Sequence, residues 1–258
     1  MTDRKMWKTG FSFGAVSEAK LQRAARAGLD LVEINGIDDP ENWSKVPQWE
    51  KETGVKVWSL HLPFKKVGRP DDPDELWNEV FPRHQELISR CGEAGIKHLV
   101  IHSSGESKEL WTPEGREIRM QRAIERLNTL SDLCKAAGCV LCVEVLPRVC
   151  IGNCSDEILR IMNTNPDLRV CFDVNHLLKE SHVEFIEKVH PYIVTTHISD
   201  YDFKDECHLI PMRGQINWRE LQTALELVDF KGPFLYEGVG IGHTMEDVRP
   251  NHEYLKNL

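Results

Sequence analysis

The chain has 258 residues, 41% of them hydrophobic and 28% charged, which suits one large core of ordinary soluble composition. Its 41 acidic residues outnumber 32 basic ones, and the net charge of −9 is spread along the chain, which speaks against a nucleic-acid partner. No apolar run approaches the roughly 18–20 residues of a membrane helix, and the opening Met-Thr-Asp-Arg-Lys-Met-Trp-Lys lacks an apolar leader, so a cytoplasmic location is expected.

Strand-like runs alternate with helical patterns from end to end. Gly10–Gly14 is the first run, followed by a helix over Ser17–Ala27 with Ser17 as its N-cap. Leu29–Ile34 is the second, followed by a Trp-bearing segment over Glu41–Thr53. Val55–Leu62 precedes a charged amphipathic stretch over Pro73–Ala94, and Ile96–Ser103 precedes a long helix over Pro113–Ala137. Cys139–Leu146 is followed by Ser155–Met162, and Leu168–Val174 by Val183–Val189. Tyr192–Ser199 is followed by Trp218–Val228, and Pro233–Gly238 by Met245–Leu258. Strands alternating with helices imply parallel pairing, and eight such units with no linker between them predict a single-domain α/β fold, a closed (β/α)8 TIM barrel over residues 1–258. An open doubly wound sheet is the alternative, but no G-x-G-x-x-G or P-loop pattern follows any strand.

The eight cysteines form no metal or disulfide framework. Cys139 and Cys142 make a C-x-x-C within a strand, where side chains three apart point to opposite faces. Free, mostly buried thiols are expected.

Polar residues gather at the carboxyl ends of the strands, where barrels of this kind carry their chemistry. Glu33 ends the second strand, His61 the third, His102 the fourth and Glu144 the fifth. Asp173 with His176 ends the sixth, His197 with Asp200 the seventh, and Glu237 the eighth. Glu33 on its own reads as readily as a cap of the following loop, or the partner of a neighbouring Arg, as it does as a ligand. Several carboxylates and imidazoles converging on one barrel mouth would repel without a cation between them. Such an oxygen-rich, thiolate-free set suits one divalent cation, Mn²⁺ first and Mg²⁺, Co²⁺ or Zn²⁺ as alternatives.

The order of these strand ends resembles the xylose isomerase-like barrels, in particular the sugar phosphate isomerase/epimerase group with its ketose 3-epimerases. The matching pieces are Val-Glu-Val-Leu-Pro-Arg (143–148), Cys-Phe-Asp-Val-Asn-His (171–176), His-Ile-Ser-Asp (197–200), His-Leu-Ile-Pro-Met-Arg-Gly-Gln-Ile-Asn-Trp (208–218) and Leu-Tyr-Glu-Gly (235–238). The resemblance implies metal ligands at Glu144, Asp173, His197 and Glu237, with Glu144 and Glu237 moving protons on either face of an enediolate. It implies a substrate-hydroxyl contact at His176, pocket-lining roles for His61 and His102, and a hydroxyl or phosphate contact at Arg213. Trp218 is expected to pack the helix it begins.

Two departures stand out. The group often carries Pro-Gly-x-Gly where this chain has Pro211-Met212-Arg213-Gly214. Leu146 stands where xylose isomerase itself has a Lys, which favours proton transfer over a hydride shift. The implied activity is a carbohydrate isomerase or epimerase acting on a small sugar, with no membrane or nucleic-acid partner and homo-oligomer formation left open. The alternatives are an inosose or dehydroshikimate dehydratase, a barrel without catalysis, and an AP-endonuclease-like zinc phosphodiesterase. That last branch looks similar at His61, His102, Glu144, Asp173, His176, His197, His208 and Glu237. Its aspartate two residues before the last His is replaced by Glu206, and no basic stripe accompanies the loops.

Overall fold

A computed structural model describes residues 7–64, 68–238 and 243–258. Residues 1–6, where a leader was sought, lie outside the described residues. Each predicted apolar run coincides with a strand, the first of which begins one residue earlier than expected: β1 (Thr9–Ser12), β2 (Leu31–Ile34), β3 (Lys56–His61), β4 (His98–Ile101), β5 (Val140–Glu144), β6 (Arg169–Asp173), β7 (Ile193–His197) and β8 (Phe234–Tyr236). Consecutive strands from β1 to β7 pair in parallel, and β1 also pairs with β8. Between β7 and β8, Ile198 N–H donates to Leu235 O at 2.8 Å and Glu237 N–H to Ile198 O at 3.1 Å. The chain is the predicted (β/α)8 barrel. No helix among the described residues is long and apolar enough to cross a membrane.

The helices are α1 (Glu18–Arg26), α2 (Val46–Thr53), α3 (Asp74–Ala94), α4 (Pro113–Ala136), α5 (Ser155–Met162), α6 (His182–Val189), α7 (Trp218–Leu227) and α8 (Met245–Lys256). Ser17 sits at the N-cap of α1 as expected, yet its side chain makes no capping bond. The outward strand faces carry large apolar groups against this ring; Phe172 of β6 stacks on Phe185 of α6 with ring centroids 4.9 Å apart. Because side chains alternate along a strand, Cys142 points into the barrel beside Val100 and Cys171, while Cys139 joins the core beneath the helices. All eight cysteines are free, and six are buried.

The same alternation sets the floor of the site. Ser59, Val100, Cys142, Cys171 and Thr195 lie two residues before His61, His102, Glu144, Asp173 and His197, so small side chains fill the layer below the polar one. The segment after β3 is pinned from outside. Arg119 of α4 donates to Asp71 and to Asp72, each at 2.7 Å, and Arg126 donates to Pro70 O at 3.1 Å. That anchorage fixes Pro70, Asp71 and Asp72 against α4.

His84 of α3 is 1% exposed, edge-on to Trp77, and neither ring nitrogen has a hydrogen-bond partner among the described residues. Burial depresses its pKa to about 4, below the roughly 6.5 of an unfolded His. The unfolded chain therefore binds the extra proton first. This contribution to stability is complete above about pH 6.5 and declines toward pH 4 at about 1.4 kcal/mol per pH unit. Urea midpoints at pH 7 and 4.5 should differ less in His84→Leu than in the wild type.

Candidate active site

The carboxyl ends of the strands open on a cavity of about 530 Å3. His61, His102, Glu144, His176 and Glu237 all line it. At its base one ligand atom each from Glu144, Asp173, His197 and Glu237 lies within 4.8 Å of the others, so four strand ends meet at one point. His197 Nδ1 stands 3.3 Å from Glu144 Oε1, 3.3 Å from Glu237 Oε2 and 3.8 Å from Asp173 Oδ2. Asp173 and Glu237 each keep one buried carboxylate oxygen that accepts no hydrogen bond among the described residues.

Buried carboxylate oxygens without donors are costly. Three carboxylates around one imidazole nitrogen would hold a divalent cation at ordinary ligand distances while leaving positions open toward the cavity. The residues fit the ion. Without a cation the charges must balance among themselves. Burial pushes Glu144 up, but His102 and His197 outweigh it and hold that carboxyl well below the usual range. Burial pushes Glu237 up, and the charges of Asp173 and Glu144 add to it against His197. The two carboxyls expected to exchange protons thus have opposite leanings in one cavity.

Glu144 has a second set of neighbours. Its Oε2 lies 2.9 Å from His61 Nε2 and 3.1 Å from His102 Nε2, a second group able to hold an ion. His61 Nδ1 meets Leu62 O at 2.9 Å. Phe64 lies against both rings, 4.7 Å from His61 and 4.5 Å from His102 between centroids.

His176 Nδ1 donates to Val145 O at 2.8 Å and lies 3.2 Å from Asp173 Oδ2. Its Nε2 lies 3.1 Å from Glu206 Oε2. Burial lowers the His176 pKa, but Asp173, Glu206 and Glu144 together lift it to about 10. His176, Glu206 and His208 make a third group of metal-ligand type. The Glu206 substitution, which broke the endonuclease pattern in the sequence, therefore does not remove the carboxylate from this position. The longer side chain still reaches His176. Arg148 holds it there, donating to Glu206 and Glu106 at 3.0 Å each and to Asp205 at 2.7 Å.

Three expectations need correction. Arg213 is exposed and lines a neighbouring cavity of about 760 Å3 with Leu209 and Tyr254, apart from the barrel mouth. Asp200 is not a cavity residue. Its oxygens accept from the backbone N–H groups of Tyr201, Met212 and Ile216 and from Trp218 Nε1, all between 2.9 and 3.0 Å. Glu33 neither caps a loop nor meets an Arg; it is fully buried and lies 2.9 Å from His197 Nε2. Trp218 is buried at the start of α7, as expected.

The departure at Pro211-Met212-Arg213-Gly214 alters side chain more than backbone. Met212 adopts φ 76°, the left-handed region that glycine enters most readily, and its N–H still bonds Asp200 Oδ2 at 2.9 Å. Gly238, expected to allow close approach behind Glu237, does so: a Cβ there would fall 2.2 Å from His243 Cε1.

Sequence reasoning missed Ser12, Phe13, Gly14 and Asn35, the cavity wall supplied by the first two strands. The only signal was position, since each follows or ends a predicted strand.

Comparison with known proteins agrees with the fold. A solved D-tagatose 3-epimerase-like protein superposes with a TM-score of 0.82 at 20% identity, covering 97% of this chain and 96% of its own. A 3-keto-D-glucoside 4-epimerase from E. coli gives 0.81 at 19% identity, covering 98% and 100%. An uncharacterized protein of Methanocaldococcus jannaschii is 20% identical over 273 residues, spanning 98% of this chain and 92% of its own. The xylose isomerase-like TIM barrel family matches residues 21–258, and the chain belongs to that family.

Proposed function

We propose that this protein is a divalent-metal-dependent sugar, or sugar phosphate, isomerase or epimerase that works by proton transfer between Glu144 and Glu237. The observation that carries the reading is the meeting of those two carboxylates with Asp173 and His197 at the base of a sugar-sized cavity. The fold likeness to proteins named as D-tagatose 3-epimerase-like, 3-keto-D-glucoside 4-epimerase and D-psicose 3-epimerase points the same way.

Glu144, Asp173, His197 and Glu237 would hold the cation, with Mn²⁺ first and Mg²⁺, Co²⁺ or Zn²⁺ as alternatives. When bound it polarises a substrate carbonyl and acidifies the adjacent C–H. Glu144, held ionised by its imidazole neighbours, takes that proton. The electron pair moves onto the carbonyl oxygen, giving an enediolate. Glu237, with its raised proton affinity, returns a proton to the other face, which inverts the centre. His176 and Glu206 meet a substrate hydroxyl at the rim, and the Phe13 and Phe64 faces exclude water beside the reacting carbon.

Incubation in D2O with ketoses, ketose phosphates and inososes tests this. Deuterium should enter the carbon next to the carbonyl while the oxygen is retained. Loss of the oxygen would indicate a dehydratase, and no exchange with any member would remove the proton-transfer reading. His197→Ala should lower the bound metal measured by elemental analysis; an unchanged metal content would take it out of the ligand set.

A second reading has one specific observation in its favour. Three groups of metal-ligand type surround the cavity, two of them sharing Glu144. Such a set suits a multinuclear zinc phosphodiesterase of the AP-endonuclease kind. Arg148, the basic residue beside the third group, is engaged by three carboxylates and is not free to meet a phosphate. Three equivalents of zinc together with cleavage of an abasic-site duplex would establish this second reading.

A further inference from the structure

An imidazole that ligates an ion must turn one ring nitrogen toward it, and here that choice is made from across the barrel. We infer that Glu33 is a positioning residue that fixes the tautomer and orientation of His197, leaving Nδ1 to face Glu144, Asp173 and Glu237. The inference rests on the metal-site reading of those four residues.

His197 is fully buried, so neither nitrogen can be satisfied by water. Its Nε2 lies 2.9 Å from Glu33 Oε1. A carboxylate presents only acceptors, so the ring hydrogen belongs on Nε2, and in the neutral imidazole Nδ1 then carries the lone pair. Nδ1 is the atom that faces the three carboxylates at 3.3 to 3.8 Å. Those oxygens by themselves would draw the hydrogen onto Nδ1, the tautomer that cannot ligate. Glu33 opposes that pull from the far side of the ring.

Glu33 is built to stay in place. It is fully buried on β2, and its register neighbours on either side are Ser12 of β1 and Ser59 of β3. Both serines donate into it, Ser12 Oγ to Oε1 at 3.1 Å and Ser59 Oγ to Oε2 at 2.7 Å. The β2–β3 register shifts at Val32/Glu33, the irregularity that aims this side chain inward. Carboxylates that accept the outer N–H of a ligating imidazole act in this way, and their loss costs about 10–100-fold in metal affinity.

The test is Co2+ titration of metal-stripped protein, followed by visible absorption, for wild type, Glu33→Ala and Glu33→Gln. Ring 15N shifts of His197 are recorded on the Zn2+-loaded proteins. Wild type should bind Co2+, E33A about 10–100-fold more weakly, and E33Q about tenfold more weakly, since its amide oxygen is the poorer acceptor. The 15N shifts should show a coordinated Nδ1 and hydrogen on Nε2 in the wild type and loss of that single pattern in the variants, a change that a merely structural role would not produce. Should E33A fail to fold, E33Q decides. Co2+ affinity within twofold of wild type in a folded variant, with unmoved 15N shifts, overturns the inference about Glu33 alone. Failure of the wild type to bind Co2+ overturns the metal-site reading instead.

Discussion

Glu144→Gln is expected to leave a folded barrel whose turnover falls by about 10²–10⁴-fold, the usual contribution of a positioned acid–base group. The substitution keeps the volume of a side chain that is 1% exposed, so the core is not opened. What changes is chemistry. The amide cannot take a proton, and it can place N–H donors against His61 Nε2, His102 Nε2 or His197 Nδ1, nitrogens that now face carboxylate oxygens at 2.9 to 3.3 Å. Glu237→Gln should lose a similar amount for the second proton. Circular dichroism would confirm the fold, and steady-state rates with solvent-deuterium exchange at saturating metal would separate lost ligation from lost proton transfer. Wild-type kcat in either variant would remove that residue from the mechanism.

Asp200→Ala should be the most damaging single change to stability away from the cavity, at about 4 kcal/mol. Asp200 is fully buried and accepts four hydrogen bonds from the loop between β7 and α7. Truncation leaves three backbone donors and the Trp218 indole N–H without an acceptor. At this chain length that corresponds to a fall of about 10 °C in Tm. The same loop carries Glu206 and His208, so the variant should also lose activity in proportion to the loss of that rim. Gly214 shows how tightly the loop closes on the carboxylate: a Cβ there would sit 2.3 Å from Asp200 Oδ1. An unchanged Tm and urea midpoint would contradict this role.

Asp200 and Asp173 also show where sequence reading stops. Both end an apolar strand-like run, and both read as candidate ligands. One carboxylate turns into a ring of backbone amides and the other toward Glu144, His197 and Glu237, and nothing in the residue pattern encodes that turn. The pattern did encode the barrel, because a strand buried on both faces must be apolar until it reaches the layer where chemistry begins. The predicted runs overshoot the paired segments, as with Ile96–Ser103 against His98–Ile101, because burial continues into the loop after pairing ends. Alternation along β5 carried Cys142 and Glu144 to the interior as the period of two requires. Partnerships across the barrel were less legible. The Glu33–His197 contact joins residues 164 apart, and Glu206 reaches His176 only because a loop folds back.

The central claim is a cation shared by Glu144, Asp173, His197 and Glu237. Anomalous diffraction from crystals grown with Mn2+ tests it most directly. A peak should stand about 2.0–2.4 Å from one oxygen of each carboxylate and from His197 Nδ1. Four side chains with no anomalous density between them would contradict the account.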